Sequence, residues 1–106
     1  MQGVELAVVA VRPTTRRNAY PESELLRVAM LLEEARILGD RAHVQYVAAW
    51  LRPRETEDGG LIPEPRDYPG ARRKIAAARR LVADDPNMRA SLEGLARSRL
   101  RARGLI

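Results

Sequence analysis

The chain has 106 residues, 45% hydrophobic and 31% charged, with no cysteine, no phenylalanine and a formal net charge of +5. That length predicts one domain, residues 1–106, able to bury a modest core. The missing cysteines exclude a disulfide framework and a thiolate metal site and fit a reducing, cytoplasmic setting.

The first predicted element is a strand over Val4–Val11, β-branched at half its positions and ended by Pro13, within an extended N-terminal segment of residues 1–18. Its longest apolar run, Leu6–Val11, is far too short to span a bilayer. Glu5 beside that run, with no basic residue before it, argues against a secretory leader, so no membrane partner is expected. A lone strand leaves backbone groups unpaired. Two arrangements satisfy them: a ribbon with residues near 61–63, or pairing with another chain. The second would make the protein a homo-oligomer or an assembly component, with Val4, Leu6 and Val8 at the contact.

A basic connector follows, carrying Arg12, Arg16 and Arg17. Helix one should start near Pro21-Glu22, with acidic residues in its first turn, and stop at Gly39. Leu25, Val28, Ala29, Leu32 and Ala35 form one apolar face at helical spacing. Leu26, Met30 and Ile37 form a second, which places this helix either at the centre of its bundle or at a subunit contact. Asp40 is the expected N-cap of helix two, which runs to about Arg52 before Pro53. Arg41, Gln45 and Arg52 make its only polar stripe, so helix two should be mostly buried, with Tyr46 and Trp50 anchoring the core. Residues 21–52 are thus a helical hairpin.

Residues 53–70 hold four prolines and Gly59-Gly60 and read as a long loop. Leu61 and Ile62 near its tip would dock on a neighbouring subunit or cover the chain's own core. Helix three is expected from near Ala71 to around Ala83. Asp85-Pro86 is a cap followed by a proline at the first helical position, and starts helix four, which reaches about Arg101. Residues 71–103 form a basic helical pair. The predicted fold is mainly α: a small four-helix domain with an N-terminal extended strand and a long Pro/Gly loop between helices two and three.

Charge is distributed unevenly along this fold. Residues 66–106 carry eleven basic and four acidic side chains, and residues 1–65 carry eight and ten. All basic residues but Lys74 are arginine. A high-GC genome produces that bias without selection, so the clustering is the better clue. Arg72, Arg73, Arg79 and Arg80 make two i, i+7 pairs on one broad face of helix three, opposite Ala71, Ile75, Ala78 and Val82. Helix four adds Arg89, Arg97 and Arg101, with Arg99 and Arg103, around Met88, Leu92 and Leu95. Such a face either keeps the protein soluble or meets an anionic partner, nucleic acid or an acidic protein surface.

The chain offers little for catalysis. His43 is the sole histidine and reads as a packed side chain. Glu33-Glu34 and Asp84-Asp85 are adjacent in sequence, so each pair points two ways and forms no dyad. No phosphate-cradling glycine loop, Ser-His-Asp set or paired-histidine metal motif occurs. No catalytic residue, metal or cofactor is therefore expected. A helix-turn-helix made of helices one and two would need an almost wholly apolar recognition helix, which argues against base readout.

The leading expectation is a non-enzymatic helical protein that binds nucleic acid by backbone electrostatics, in the manner of accessory or regulatory factors of phages and mobile elements. The alternative is a protein–protein adaptor or structural assembly subunit, virion connectors included. It would use the N-terminal strand, the second face of helix one and the 53–70 loop. A third reading is an antagonist that sequesters a host factor.

Overall fold

A computed structural model of the chain describes residues 20–65 and 67–106. The expected strand over 4–11, with Val4, Leu6 and Val8, lies outside the described residues, as does the basic connector. Within them the element order is α1 (Glu22–Leu38), α2 (His43–Trp50), β1 (Arg54–Glu55), β2 (Leu61–Ile62), α3 (Tyr68–Val82) and α4 (Pro86–Ala102). The protein is mainly helical, a small four-helix domain. No helix among the described residues is long and apolar enough to cross a membrane.

Each helix begins and ends for a local reason. Glu22 and Glu24 sit in the first turn of α1 and Arg36 in its last, matching the helix dipole at both ends. Gly39 closes α1 at φ 74°. Its N–H donates to Arg36 O, and the Asp40 N–H donates to Ala35 O at 2.9 Å, which together make a Schellman motif. Asp40 does not cap α2 as expected. Its Oδ1 accepts from Ala42 N at 2.8 Å, a turn two residues long. That turn delays α2 to His43, whose N-cap, Ala42, has no capping side chain. The other end of α2 is Trp50, short of Arg52, because Pro53 disfavours helical backbone at the residue before it.

The 53–70 segment is more ordered than a loop reading implies. Arg54–Glu55 pairs antiparallel with Leu61–Ile62, in register Arg54↔Ile62 and Glu55↔Leu61. The turn is held by Thr56 N donating to Gly60 O at 2.8 Å and Gly59 N donating to Thr56 O at 3.0 Å. Gly59 supplies the positive φ, 88°, that the turn requires. Leu61 and Ile62 thus pair with residues 54–55. Glu64 N donates to Ala49 O and fastens the hairpin exit to α2.

Helix α3 starts three residues earlier than the apolar pattern indicates. Asp67, at φ 55°, accepts from Gly70 N at 3.0 Å, and Pro69 pre-sets the first turn. Gly70 is required by that cap, because a Cβ there would come 2.1 Å from Asp67 Oδ2. Helix α4 starts as its sequence signature indicates, with Asp85 Oδ1 accepting from Met88 N at 2.9 Å.

Helix α1 is the central element and packs against α2, α3 and α4. Leu25, Val28, Leu31, Val47 and Leu100 are fully buried, each contributing about 1.5–3 kcal/mol by leaving water. On α3 the core is made of Ala71, Ile75, Ala77 and Ala78. Of the two placements open to the second apolar side of α1, the central one holds for Met30, which is buried in the chain's own core, and for Ile37, which packs partly buried against it. Two of the three residues of that second side are therefore used within the chain's own core. On α4 the expected stripe of Met88, Leu92 and Leu95 is displaced. Leu95 is exposed, while Ala96 and Leu100 are buried.

Candidate anion-binding surface

Helix α3 contains five basic residues and no acidic one. Its buried alanines and Ile75 fix which side faces α1, so Arg72, Arg73, Arg79 and Arg80 are all solvent-exposed. Residues seven apart are separated by about 10.5 Å along the axis. Arg72 and Arg79 thus form one edge of the face, and Arg73 and Arg80 the other. Arg79 and Arg80 lie in the last turn, where the helix dipole also stabilises cations.

A face of this kind is available only where its charges lack internal partners. Arg73 Nε donates to Tyr20 Oη at 3.4 Å. Arg72, Arg79, Arg80, Arg89 and Arg101 form no side-chain hydrogen bond or ion pair with the described residues. Five carboxylates of the fold, Glu24, Glu33, Glu34, Glu64 and Glu93, are taken by other cations. Glu24 holds Arg52 at 2.9 Å and Lys74 at 3.0 Å. Glu33 holds Arg36 at 2.7 Å, Glu64 holds Arg54 at 3.2 Å and Glu93 holds Arg97 at 3.0 Å. Arg97 therefore belongs to an i, i+4 pair on α4, which separates it from the other predicted anion-binding residues.

Burial raises the affinity of Glu24 for its proton, but the hydrogen bonds and charges of Lys74 and Arg52 outweigh it. The net effect holds its carboxyl below the usual value of 4.5. Lys74 also lies 5.5 Å from the centre of the Tyr20 ring. It is thus the one basic residue of α3 that turns inward to a carboxylate.

The sequence pattern did not reveal a buried clasp elsewhere in the fold. Glu34 of α1 has 0% exposure. Its Oε1 accepts from Tyr46 Oη at 2.7 Å and from Arg103 Nη1 at 3.3 Å, and its Oε2 accepts from Arg99 Nε at 2.8 Å. The Arg103 guanidinium also lies 4.2 Å from the centre of the Trp50 ring, a cation–π contact. One carboxylate thus joins α1, α2 and the end of α4. Burial first, and then the hydrogen bond to Glu34 and its charge, push the Tyr46 hydroxyl up to about 12. Arg99 and Arg103 are consequently internal fixings rather than part of the outward arginine set. His43 is half-buried, and no group of three His, Cys, Asp or Glu side chains among the described residues could hold a metal ion.

Helices α1, α3 and α4 also enclose an open groove with a volume of about 420 Å³. Its floor includes Ala29, Leu32, Ala78, Val82 and Leu92, and its rim includes Glu33, Arg36, His43, Arg79 and Arg89. Among the residues expected to form protein contacts, Leu61 is 50% and Ile62 38% exposed on the hairpin, while Leu26 is partly buried. No family model, curated protein or solved structure significantly matches the chain.

Proposed function

We propose that the protein is a non-enzymatic helical module that binds the phosphate backbone of nucleic acid through the α3 face, Arg72, Arg73, Arg79 and Arg80, with Arg89 extending it. The observation carrying this reading is the partition of charge. Glu24, Glu33 and Glu34 of α1 and Glu93 of α4 each hold a cation, while the exposed α3 arginines form no ion pair with the described residues. An arginine surface left uncompensated in this way attracts anions, and guanidinium geometry matches phosphate oxygens. Helix α2 is too buried to enter a groove, which favours charge recognition over base reading. The chain lacks cysteine, consistent with a cytoplasmic setting for such a partner.

The test is fluorescence anisotropy of a labelled random-sequence duplex, titrated over a range of salt. Four neutralised phosphates give a log–log slope of about −3.6. Replacing Arg72, Arg73, Arg79 and Arg80 together with alanine should abolish binding while the circular dichroism spectrum stays helical. Undetectable binding at low salt, or a quadruple variant that binds like the parent, refutes the reading.

A second reading, an assembly subunit, is favoured by one observation: Leu61 and Ile62 project into solvent from a fastened hairpin. Light scattering of the parent and of a Leu61→Ser/Ile62→Ser variant separates the two. A monomeric parent removes this reading, and an oligomer dispersed by the double change supports it.

A further inference from the structure

The groove between α1, α3 and α4 sets an apolar floor beside Arg79 and Arg89 at one end of the arginine face. Leu32, Val82 and Leu92 pack against the core yet stay partly buried, and all three line the groove. Their remaining apolar surface opens into it. Around that floor stand three guanidiniums, Arg36, Arg79 and Arg89, together with the half-buried His43. The one acidic group on this rim, Glu33, is held by Arg36 Nε and Nη2 at 3.0 and 2.7 Å, so it offers little free charge to repel an anion. Arg36 is held further by Glu93 at 3.5 Å. Arg79 and Arg89 have no such partner among the described residues.

Arg79 comes from the last turn of α3 and Arg89 from the first turn of α4, so the short joint between those helices brings both to one rim. Ligand sites typically have volumes of about 300–1,000 Å³, an apolar lining and a few convergent polar groups. This groove, at about 420 Å³, has all three. We propose that it binds an organic anion with an aliphatic body, the chain lying on the Leu32, Val82 and Leu92 floor and a carboxylate head held between Arg79 and Arg89. Guanidinium suits a carboxylate because its paired N–H groups meet two oxygens at once. The aliphatic body selects against small inorganic anions, which gain nothing from the floor. This inference does not depend on nucleic-acid binding.

The probes are decanoate, decanol and decylamine, each titrated below its micelle-forming concentration into the full chain and followed by calorimetry and by amide NMR shifts. Decanoate should saturate at one equivalent and bind at least about tenfold more tightly than decanol, with decylamine weaker still. Shifts should centre on residues lining the groove. The Arg79→Gln/Arg89→Gln variant should lose about tenfold for decanoate and keep its decanol affinity. Ala83→Trp adds bulk at an exposed position on the groove lining and should block both ligands. Circular dichroism establishes that each variant is folded. Three results would overturn the proposal: no saturable decanoate binding, equal affinity for decanol or decylamine, or full decanoate affinity in the arginine variant. None of them touches the duplex measurement, so the two readings fail separately.

Discussion

Replacing Glu34 with glutamine keeps the shape of the buried side chain and removes its charge. In the native fold that carboxylate accepts three hydrogen bonds, from Tyr46, Arg99 and Arg103, while wholly shielded from water. Removing one partner of a fully buried ion pair costs about 3–5 kcal/mol. Here the arginine side chains retain 37% and 26% exposure, so both can turn partly back to water. Glutamine also retains one acceptor oxygen. A loss of about 2–3 kcal/mol is therefore expected for Glu34→Gln, near the value of one or two hydrogen bonds to a charged group. At this chain length the midpoint of thermal unfolding should fall by about 8–15 °C. Urea denaturation followed by far-UV circular dichroism gives the free energy. The single tryptophan, Trp50, gives an independent signal because Arg103 stacks on it. Its emission should change in the folded variant before any denaturant is added. A stability change below about 0.5 kcal/mol with unaltered emission would show that the clasp holds nothing together, since surface substitutions alone produce changes of that size.

Two further predictions follow from the pH behaviour of the same charge network. The Tyr46 hydroxyl is raised from 10.0 to about 12 by burial and then by Glu34, so its contribution is complete below pH 10 and is lost as pH climbs through the folded value. A phenolate absorbance titration should show a late component that Tyr46→Phe removes; loss of all tyrosine protons by pH 11 contradicts the burial argument. Glu24 has a folded value below 4.5 because Lys74 and Arg52 outweigh its burial, so its contribution is present above 4.5 and is lost as pH falls through the lower, folded value. Glu24→Gln should be less stable than the parent at neutral pH and should converge on it in acid. A gap that persists undiminished at acid pH would show that charge pairing is not what Glu24 supplies.

The helices were readable because their punctuation is local. Gly39 and Asp85-Pro86 act within one turn of themselves, so sequence placed the end of α1 and the start of α4 correctly. The start of α3 was missed by three residues because Asp67 and Pro69 resemble loop residues until the Gly70 N–H is seen to need an acceptor. Asp40 misled for the opposite reason: a good capping residue was used in a two-residue turn instead.

The arginine face of α3 was legible from its period, since alanines and Ile75 mark the other side. Arg99 and Arg103 were not, because their partner Glu34 lies 65 and 69 residues away. A signal did exist. Arg99 and Arg103 fall on the same stripe as Leu92, Ala96 and Leu100, and Glu34 follows Leu31 by three positions, so three charged side chains sat on faces otherwise apolar. Opposite charges on two inward faces are the sequence mark of a buried pair. The groove had no sequence signal, because it exists only where three helices meet.

Helix α3 meets the core through Ala71, Ala77 and Ala78 together with Ile75, Leu81 and Val82. The methyl side chains at three of these positions have no rotamers to exchange, which limits the ways this seam can rearrange short of separating α3 from α1. The backbone positions of Arg72, Arg73, Arg79 and Arg80 should therefore be rigidly spaced, while each guanidinium swings on its own long stem. A fixed base with mobile heads tolerates variation in where the opposing negative charges stand. It discriminates poorly among anions with similar overall spacing, and what freedom it loses on contact is confined to side chains.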